Sequence, residues 1–378
     1  MVLDERIDLL FDVRHIRQSG IGTYIGTLLP HLEDTFDRRG LSLAVLTDKE
    51  TLPPLRDSTA VVFSKPSVAP MYGMAEQKAW RHGLHIARPR AIWVPHYPFP
   101  LALLERRNRS VLTFVTVHDT LHLQKQSISG QSRARQLYAR TMLNLDGRRC
   151  RRIFTPSQST ATSLVQAVPS AKVMVTPIPV DEVWFRPADP DLSPVRSSYI
   201  LYIGNAKHHK NLPLLLNAYA EIAEDVPQDL VIAGGGQSVR TYDERVGALA
   251  AQDTERVKVL GRLDFDALRS LVAGADLLIM PSLFEGAGLP PLEAMASGTA
   301  VLSSSIPVLR ETCGDGADYF DPYDQRELAD LLRKYCCDDD ARAGLAARGR
   351  SHVIARQSQI SINAAAETVC SELDCSEA

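Results

Sequence analysis

One stretch of the chain concentrates residue types suited to holding a phosphorylated sugar. Pro281-Ser282-Leu283-Phe284-Glu285-Gly286-Ala287-Gly288-Leu289-Pro290-Pro291-Leu292-Glu293-Ala294-Met295-Ala296 carries a glycine-containing turn and a proline pair where a helix would begin. Proline suits the first helical turn, whose N–H groups lack intrahelical partners. The backbone N–H groups of Ala287, Gly288 and Leu289 would then face out of the helix start, a site for a phosphate or diphosphate. Gly286 and Gly288 let the backbone approach such a ligand closely. Glu285 stands before this site and Glu293 inside the helix, with seven residues between them. A carboxylate accepts hydrogen bonds from two hydroxyls, so the pair could hold a sugar on one side and a ribose on the other. Taken singly, Glu285 is a solvated loop acid and Glu293 an acid favoured by the helix dipole. Their spacing after a strand favours the ligand reading.

The first half offers weaker signals. Gly20-Ile21-Gly22 lies between a strand and a helix start, but the longer G-x-G-x-x-G pattern fails at Ile25, so a ligand-free tight turn is an equal reading. His118 ends a strand, and Asp119 beside it could fix its tautomer or bind acceptor hydroxyls. His96, in Trp93-Val94-Pro95-His96-Tyr97-Pro98, ends another strand and is a weaker acceptor-side candidate. The six cysteines show no C-x2-C pairing and no paired histidine spacing, so reduced thiols are expected and no metal site is.

Short apolar runs alternate with helical patterns along nearly the whole chain. Strands are predicted near residues 7–13, 41–47, 91–95, 111–117, 152–155 and 172–176, then 199–203, 230–233, 257–260, 276–280, 300–303 and 318–320. Helices are predicted near 22–33, 76–85, 132–145 and 159–166, then 212–223, 264–272, 291–296 and 326–335. This rhythm is that of an α/β protein with parallel sheets covered on both faces, in two doubly wound domains. The proline-bearing segment 183–197 reads as the linker between residues 1–182 and 198–355. Residues 356–378 form a last helical segment expected to cross back. Ligands of doubly wound domains bind beyond the carboxyl ends of strands, which places the expected site in the cleft between the two domains.

Length and composition restrict the class. The 378 residues are 45% hydrophobic and 23% charged, which excludes a disordered chain or a small disulfide scaffold. No apolar run is long enough to span a membrane and the N-terminus lacks a secretion-signal layout, so the expectation is a cytoplasmic protein, either free or peripheral on the inner face of the cell membrane. The net charge of −3 hides an asymmetry: residues 1–182 carry 24 Lys and Arg against 16 Asp and Glu, residues 183–378 carry 18 against 29. The basic half, with Arg106, Arg107, Arg109, Arg133, Arg135, Arg140, Arg148, Arg149, Arg151 and Arg152, could face an anionic membrane surface or be a solvated helix face. Aromatic residues do not interleave with these clusters, so nucleic acid is not expected as a partner.

The segment Glu285–Ala296 resembles the E-x7-E signature of family-4 retaining glycosyltransferases of the GT-B fold, in a version similar to bacterial mannosyltransferases. The likeness extends over Ser19-Gly20-Ile21-Gly22-Thr23-Tyr24, Val117-His118-Asp119-Thr120, Tyr202-Ile203-Gly204-Asn205, Lys210-Asn211-Leu212, Ala233-Gly234-Gly235-Gly236, Gly261-Arg262-Leu263 and Gly298-Thr299-Ala300-Val301. It implies two Rossmann-like domains, the first on the acceptor side and the second binding the nucleotide sugar. It assigns the donor sugar's hydroxyls to Glu285, the nucleotide ribose to Glu293, the leaving diphosphate to Lys210, and the donor sugar to His118. Gly20, Gly22, Asn205, Lys207, Arg262, Gly286, Ala287, Gly288 and Leu289 would complete the donor contacts. Three departures stand out: Asn205 replaces a frequent arginine, with Lys207 as the substitute charge; Ala287 replaces phenylalanine; and the aromatic pair before the last helix is missing near 356–360.

The expected function is transfer of a sugar, mannose from GDP-mannose, with retention onto a saccharide hydroxyl, the acceptor being polyprenyl-diphosphate-linked in polysaccharide or glycolipid assembly. No cofactor or metal is expected, the nucleotide diphosphate sugar being a substrate. Two alternatives stand beside it: a transferase using a UDP- or dTDP-sugar on a soluble acceptor, and a non-catalytic nucleotide-sugar-binding subunit, which would have no need of Glu285, His118 and Lys210 together.

Overall fold

The computed structural model describes residues 6–18, 20–48, 52–234 and 255–376. Ser19, Gly235 and Gly236 of the motifs above lie outside the described residues. The chain divides into two compact units: Met1–Leu123, Ser132–Pro179 and Ile360–Ala378 form the first, Gln124–Gln131 and Val180–Gln359 the second.

The first unit is built on a sheet of β1 (Leu9–Asp12), β2 (Leu43–Thr47), β3 (Ala60–Phe63), β4 (Ala91–Val94), β5 (Leu112–Thr116), β6 (Arg152–Thr155) and β7 (Val173–Val175), in the order β3-β2-β1-β4-β5-β6-β7 with parallel pairings. Every residue of β1, β2 and β4 is buried, as an apolar run covered on both faces requires. Leu10, Leu46, Ile92 and Val115 pack on one face with Trp80 of the helix Met74–Ala87. The edge strand β3 was not anticipated: it is four residues long and only Val62 is buried, so it leaves little apolar pattern.

The second unit holds β8 (Tyr199–Ile203), β9 (Asp229–Ala233), β10 (Val257–Gly261), β11 (Leu277–Met280), β12 (Ala300–Ser304) and β13 (Asp318–Phe320), parallel in the order β10-β9-β8-β11-β12-β13. One face buries Tyr202, Ile279 and Leu302 beneath Leu215, Tyr219 and Leu332. The other buries Leu201, Val231 and Leu278 beneath Leu292, Met295 and Val353. In each sheet the strand order reverses once, between β1 and β4 and between β8 and β11. Connections leave such neighbours in opposite directions, and the crevice beyond their carboxyl ends is where open α/β sheets take ligands.

Three segments depart from the expected organisation. The expected linker is packed structure: Trp184 and Val195 are buried in the second unit's core, and the division falls at Pro179 and Val180. Helices Pro307–Cys313 and Asp339–Gln359 were not anticipated. The second of these, rich in Ala, Arg and Gly, buries only Leu345, Gly349 and Val353, a stripe one residue wide. Residues 124–131 belong with the second unit and 360–376 with the first. Among the described residues no helix is long and apolar enough to cross a membrane, and all six cysteines are free thiols.

The last helix, Ala364–Asp374, buries Ala365, Ala366, Val369, Cys370 and Leu373 in the first unit. Its rim is tied by Arg39 to Glu367 at 2.7 Å and by Arg152 to Glu372 at 3.0 Å, with Arg151 on the same Glu372 carboxylate. Part of the basic excess is thus spent inside the unit. Leu373→Ala should destabilise the protein by about 2–5 kcal/mol through the lost packing and the cavity left behind. Urea unfolding followed by circular dichroism measures this as a lower midpoint.

Candidate active site

In the second unit the loops after β8 and β11 lie side by side because those strands are paired. The first loop passes Asn205 and Lys207 into a short turn, His208–Lys210, and the second passes Ser282 and Glu285 into the helix Leu289–Ser297. The Leu283 N–H donates to the His209 carbonyl at 2.7 Å and fastens one loop to the other. Ser304 Oγ donates to the Ser282 carbonyl at 2.6 Å and anchors the second loop to β12. On this frame Lys210 Nζ and Ser282 Oγ both donate to Glu285 Oε1, each at 2.6 Å. The charged side chains are 16% and 11% exposed. Each charge therefore has a partner in place of most of its water, and a ligand can still reach them. The family resemblance named Lys210 and Glu285 without pairing them, and sequence reasoning missed Ser282, whose signal was its position three residues before Glu285 in the same motif.

Gly288 caps the helix start at φ 65°, and a Cβ there would stand 2.7 Å from Leu309 Cδ2, so the left-handed turn strongly favours glycine. Thr312 Oγ1 holds the Ala287 carbonyl at 3.0 Å. Pro290 and Pro291 bring no N–H, so the donors at this helix end are Leu289 and the preceding Ala287 and Gly288. Glu293 lies in the second turn of the helix, past the first turn where an acid is explained by the dipole alone. Burial, and then the Asp181 carboxylate, push its pKa up to about 7. Among the described residues no side chain donates to its carboxylate; Ser297 Oγ donates to its backbone carbonyl at 3.0 Å. Gly286 is partly exposed in the same loop. Asn205 and Lys207 are exposed beyond β8, with the Lys207 N–H donating to Asn205 Oδ1 at 3.4 Å, and Arg262 is exposed just beyond β10.

The first unit's candidates divide by burial. His118 Nε2 donates to the Pro95 carbonyl at 2.7 Å, which sets the tautomer; Asp119 instead accepts from the Leu121 N–H at 2.8 Å and caps a turn. Burial depresses the His118 pKa to about 4, so the ring is neutral near pH 7 and offers Nδ1 as an acceptor rather than a positive charge. Gly22 is buried, and a Cβ there would lie 2.2 Å from the Ile16 carbonyl oxygen, so packing alone requires this glycine. Gly20 is exposed at the helix start with φ 51°. His96, expected on the acceptor side, is 2% exposed and contacts Glu76 Oε1 at 2.7 Å. That buried contact is a correction: His96 belongs to an internal network, with Glu76 and His15, that sequence reasoning did not see. An acid in the first turn of a helix reads as a dipole partner, and His15 as a loop residue. Nearby, Arg14 pairs with Asp12 at 2.9 and 2.6 Å, and Trp80 Nε1 donates to Asp12 at 2.7 Å.

Residues 18–183 match the family described as Glycosyltransferase Family 4, and residues 189–352 match the one described as Glycosyl transferases group 1. The chain is a family-4 glycosyltransferase. It is 28% identical over 257 residues to the O-antigen chain mannosyltransferase RfbU of Salmonella typhimurium, covering 65% of this chain and 70% of that one. It is 28% identical over 266 residues to the serotype-specific mannosyltransferase WbdA of Escherichia coli, covering 66% of this chain but only 32% of that longer protein. Sucrose-phosphate synthase of Thermosynechococcus elongatus superposes with a TM-score of 0.77 over 98% of this chain and 100% of its own at 18% identity, which shows the GT-B fold.

The raised Glu293 pKa gives this glycosyltransferase a testable pH dependence. The folded-state value lies above the ordinary 4.5, so the unfolded carboxyl ionises first and stability falls as pH rises from about 4.5 to about 7. Glu293→Gln removes that cost. It should stabilise the protein by about 1–3 kcal/mol at pH 8 and leave stability unchanged at pH 4.5. Thermal melts of both proteins at the two pH values check the difference.

Proposed function

We propose that this glycosyltransferase moves mannose from GDP-mannose onto a hydroxyl of a saccharide carried on a polyprenyl diphosphate, in bacterial polysaccharide assembly, with retention at the anomeric carbon. The observation that carries the reading is the contact of Lys210 and Ser282 with Glu285 beside a helix start, at the strand reversal of the second unit. In the structure the cation and the acid satisfy each other. A donor exchanges their partners: diphosphate oxygens take Lys210 and the N–H groups of Ala287, Gly288 and Leu289, and sugar hydroxyls donate to Glu285. Ribose hydroxyls donate to Glu293, which binding converts to its ionised form. As the glycosidic bond breaks, negative charge grows on the diphosphate, and Lys210 with the backbone N–H groups stabilises it most at that moment.

The acceptor oxygen attacks from the face the diphosphate leaves, and the departing phosphate oxygen takes the acceptor's proton. Gly286, Asn205, Lys207, Arg262 and Gly20 line the donor path in this reading, Gly22 shapes the turn beside Gly20, and Asp119 meets the acceptor. The neutral His118 orients a sugar hydroxyl through Nδ1. Mannose is supported by the names of RfbU and WbdA, both mannosyltransferases. The lipid-linked acceptor and work at the inner membrane face are supported by the helix Arg133–Arg149, which exposes Arg133 and Arg140 within about a turn of Leu137, itself 68% exposed, and Arg148 and Arg149 at its far end.

Purified protein should melt higher with GDP than with UDP or dTDP, by mass action on the folded state. It should form an α-mannosyl product from GDP-α-mannose without added Mg²⁺ or Mn²⁺. Glu285→Ala and Lys210→Ala should each lower turnover by about 10²–10³-fold, the range for losing one electrostatic contact to the transition state, while Glu285→Ala still binds nucleotide. An inverted product, or stabilisation by UDP alone, refutes the retaining mannosyl reading. Nucleotide binding with no transfer to any acceptor points to a binding subunit.

A further inference from the structure

We infer that the first unit holds a divalent metal ion of the zinc class between His15, Glu76 and His96. This inference is independent of the transfer reaction proposed above. β1 and β4 are adjacent parallel strands at the reversal of the first sheet, and His15 and His96 follow their carboxyl ends by three and two residues. Glu76 reaches the same point from the first turn of the helix Met74–Ala87. One ligand atom from each residue lies within 4.8 Å of the other two, and all three side chains are buried. Two imidazole nitrogens and a carboxylate oxygen are a donor set zinc takes, with a fourth position left for water.

Glu76 Oε1 lies 3.3 Å from His15 Nε2 and 2.7 Å from His96 Nε2, so both rings converge on one oxygen. Bonds of 2.0–2.2 Å at tetrahedral angles set donor atoms roughly 3.3–3.5 Å apart, so the His15 contact already fits and the His96 contact opens by several tenths of an ångström. The cluster is held from behind. The Tyr72 N–H donates to Glu76 Oε2 at 2.8 Å, and the Gln18 amide meets His15 Nδ1 at 3.0 Å. With that amide turned over, its oxygen accepts from Nδ1–H and leaves the Nε2 lone pair to the metal, the outer contact a metal-bound histidine uses. His96 Nε2 donates to the Glu76 carboxylate, so metal binding moves that proton to the buried, unpartnered Nδ1 and frees the Nε2 lone pair. The nearest fixed cation, Arg14, is matched by Asp12. The ion would pin the two strand-end loops to the helix that bears Glu76.

The test uses the full chain with its two exposed thiols removed, Cys337→Ser and Cys375→Ser, so that surface cysteines contribute no zinc. The protein is stripped with a chelator, exposed to zinc chloride, desalted and assayed for metal content and melting temperature. One zinc per chain is expected, with a melting temperature several degrees above that of the stripped protein. Adding Glu76→Gln or His15→Ala should abolish stoichiometric zinc. Should those variants fail to fold, cobalt(II) on the otherwise unsubstituted protein decides: visible d–d bands without a thiolate charge-transfer band support the site. No zinc, full zinc in a folded Glu76→Gln protein, or a thiolate band overturns it.

Discussion

Lys210 and Glu285 meet at 2.6 Å because the strands that deliver their loops are neighbours whose connections run apart. Nothing in the local chain brings residues seventy-five positions apart together; the order reversal between β8 and β11 does. Once the pair forms, neither Lys210 nor Glu285 lacks a counter-charge in the half-buried crevice, where a lone lysine or glutamate would be costly. The pair's remaining exposure lets a ligand take over both partners without leaving either group bare. Ser282, Ser304 and the Leu283–His209 backbone bond hold the acid in place.

The first unit answers the same topological situation differently. Beyond β1 and β4 the polar groups are turned inward: Asp12 with Arg14 and Trp80, and Glu76 with His15 and His96. Buried groups of this kind hold geometry because any displacement leaves a desolvated charge or donor without a partner. His118, with its proton committed to the Pro95 carbonyl and its ring edge-on to Tyr24, is fixed in the same manner. The second unit's pair is partly exposed, whereas the first unit's groups are buried.

The sheets were largely legible in the sequence, since strands buried on both faces read as unbroken apolar runs, as β1, β2, β4 and β11 do. The edge strand β3 and the helix Asp339–Gln359 were not, because each buries too few side chains to leave a period. In the candidate site, the spacing of Glu285 and Glu293 around a glycine turn singled them out as candidates, and the structure adds the Lys210 partner of the one and the burial of the other. Glu76 was hidden, because one acid near a helix start fits any surface helix until the neighbouring loops are placed.

The amino-acid sequence alone determined the alternation of strands and helices, the glycine at 288 and the acids flanking the helix start, since these depend on residues close along the chain. Tertiary structure decided which groups share an environment: the partnering of Lys210 with Glu285, the burial that raises Glu293 and neutralises His118, and the withdrawal of His96 into the interior. Pairing and desolvation depend on distance in space, and only the packed sheets set that distance.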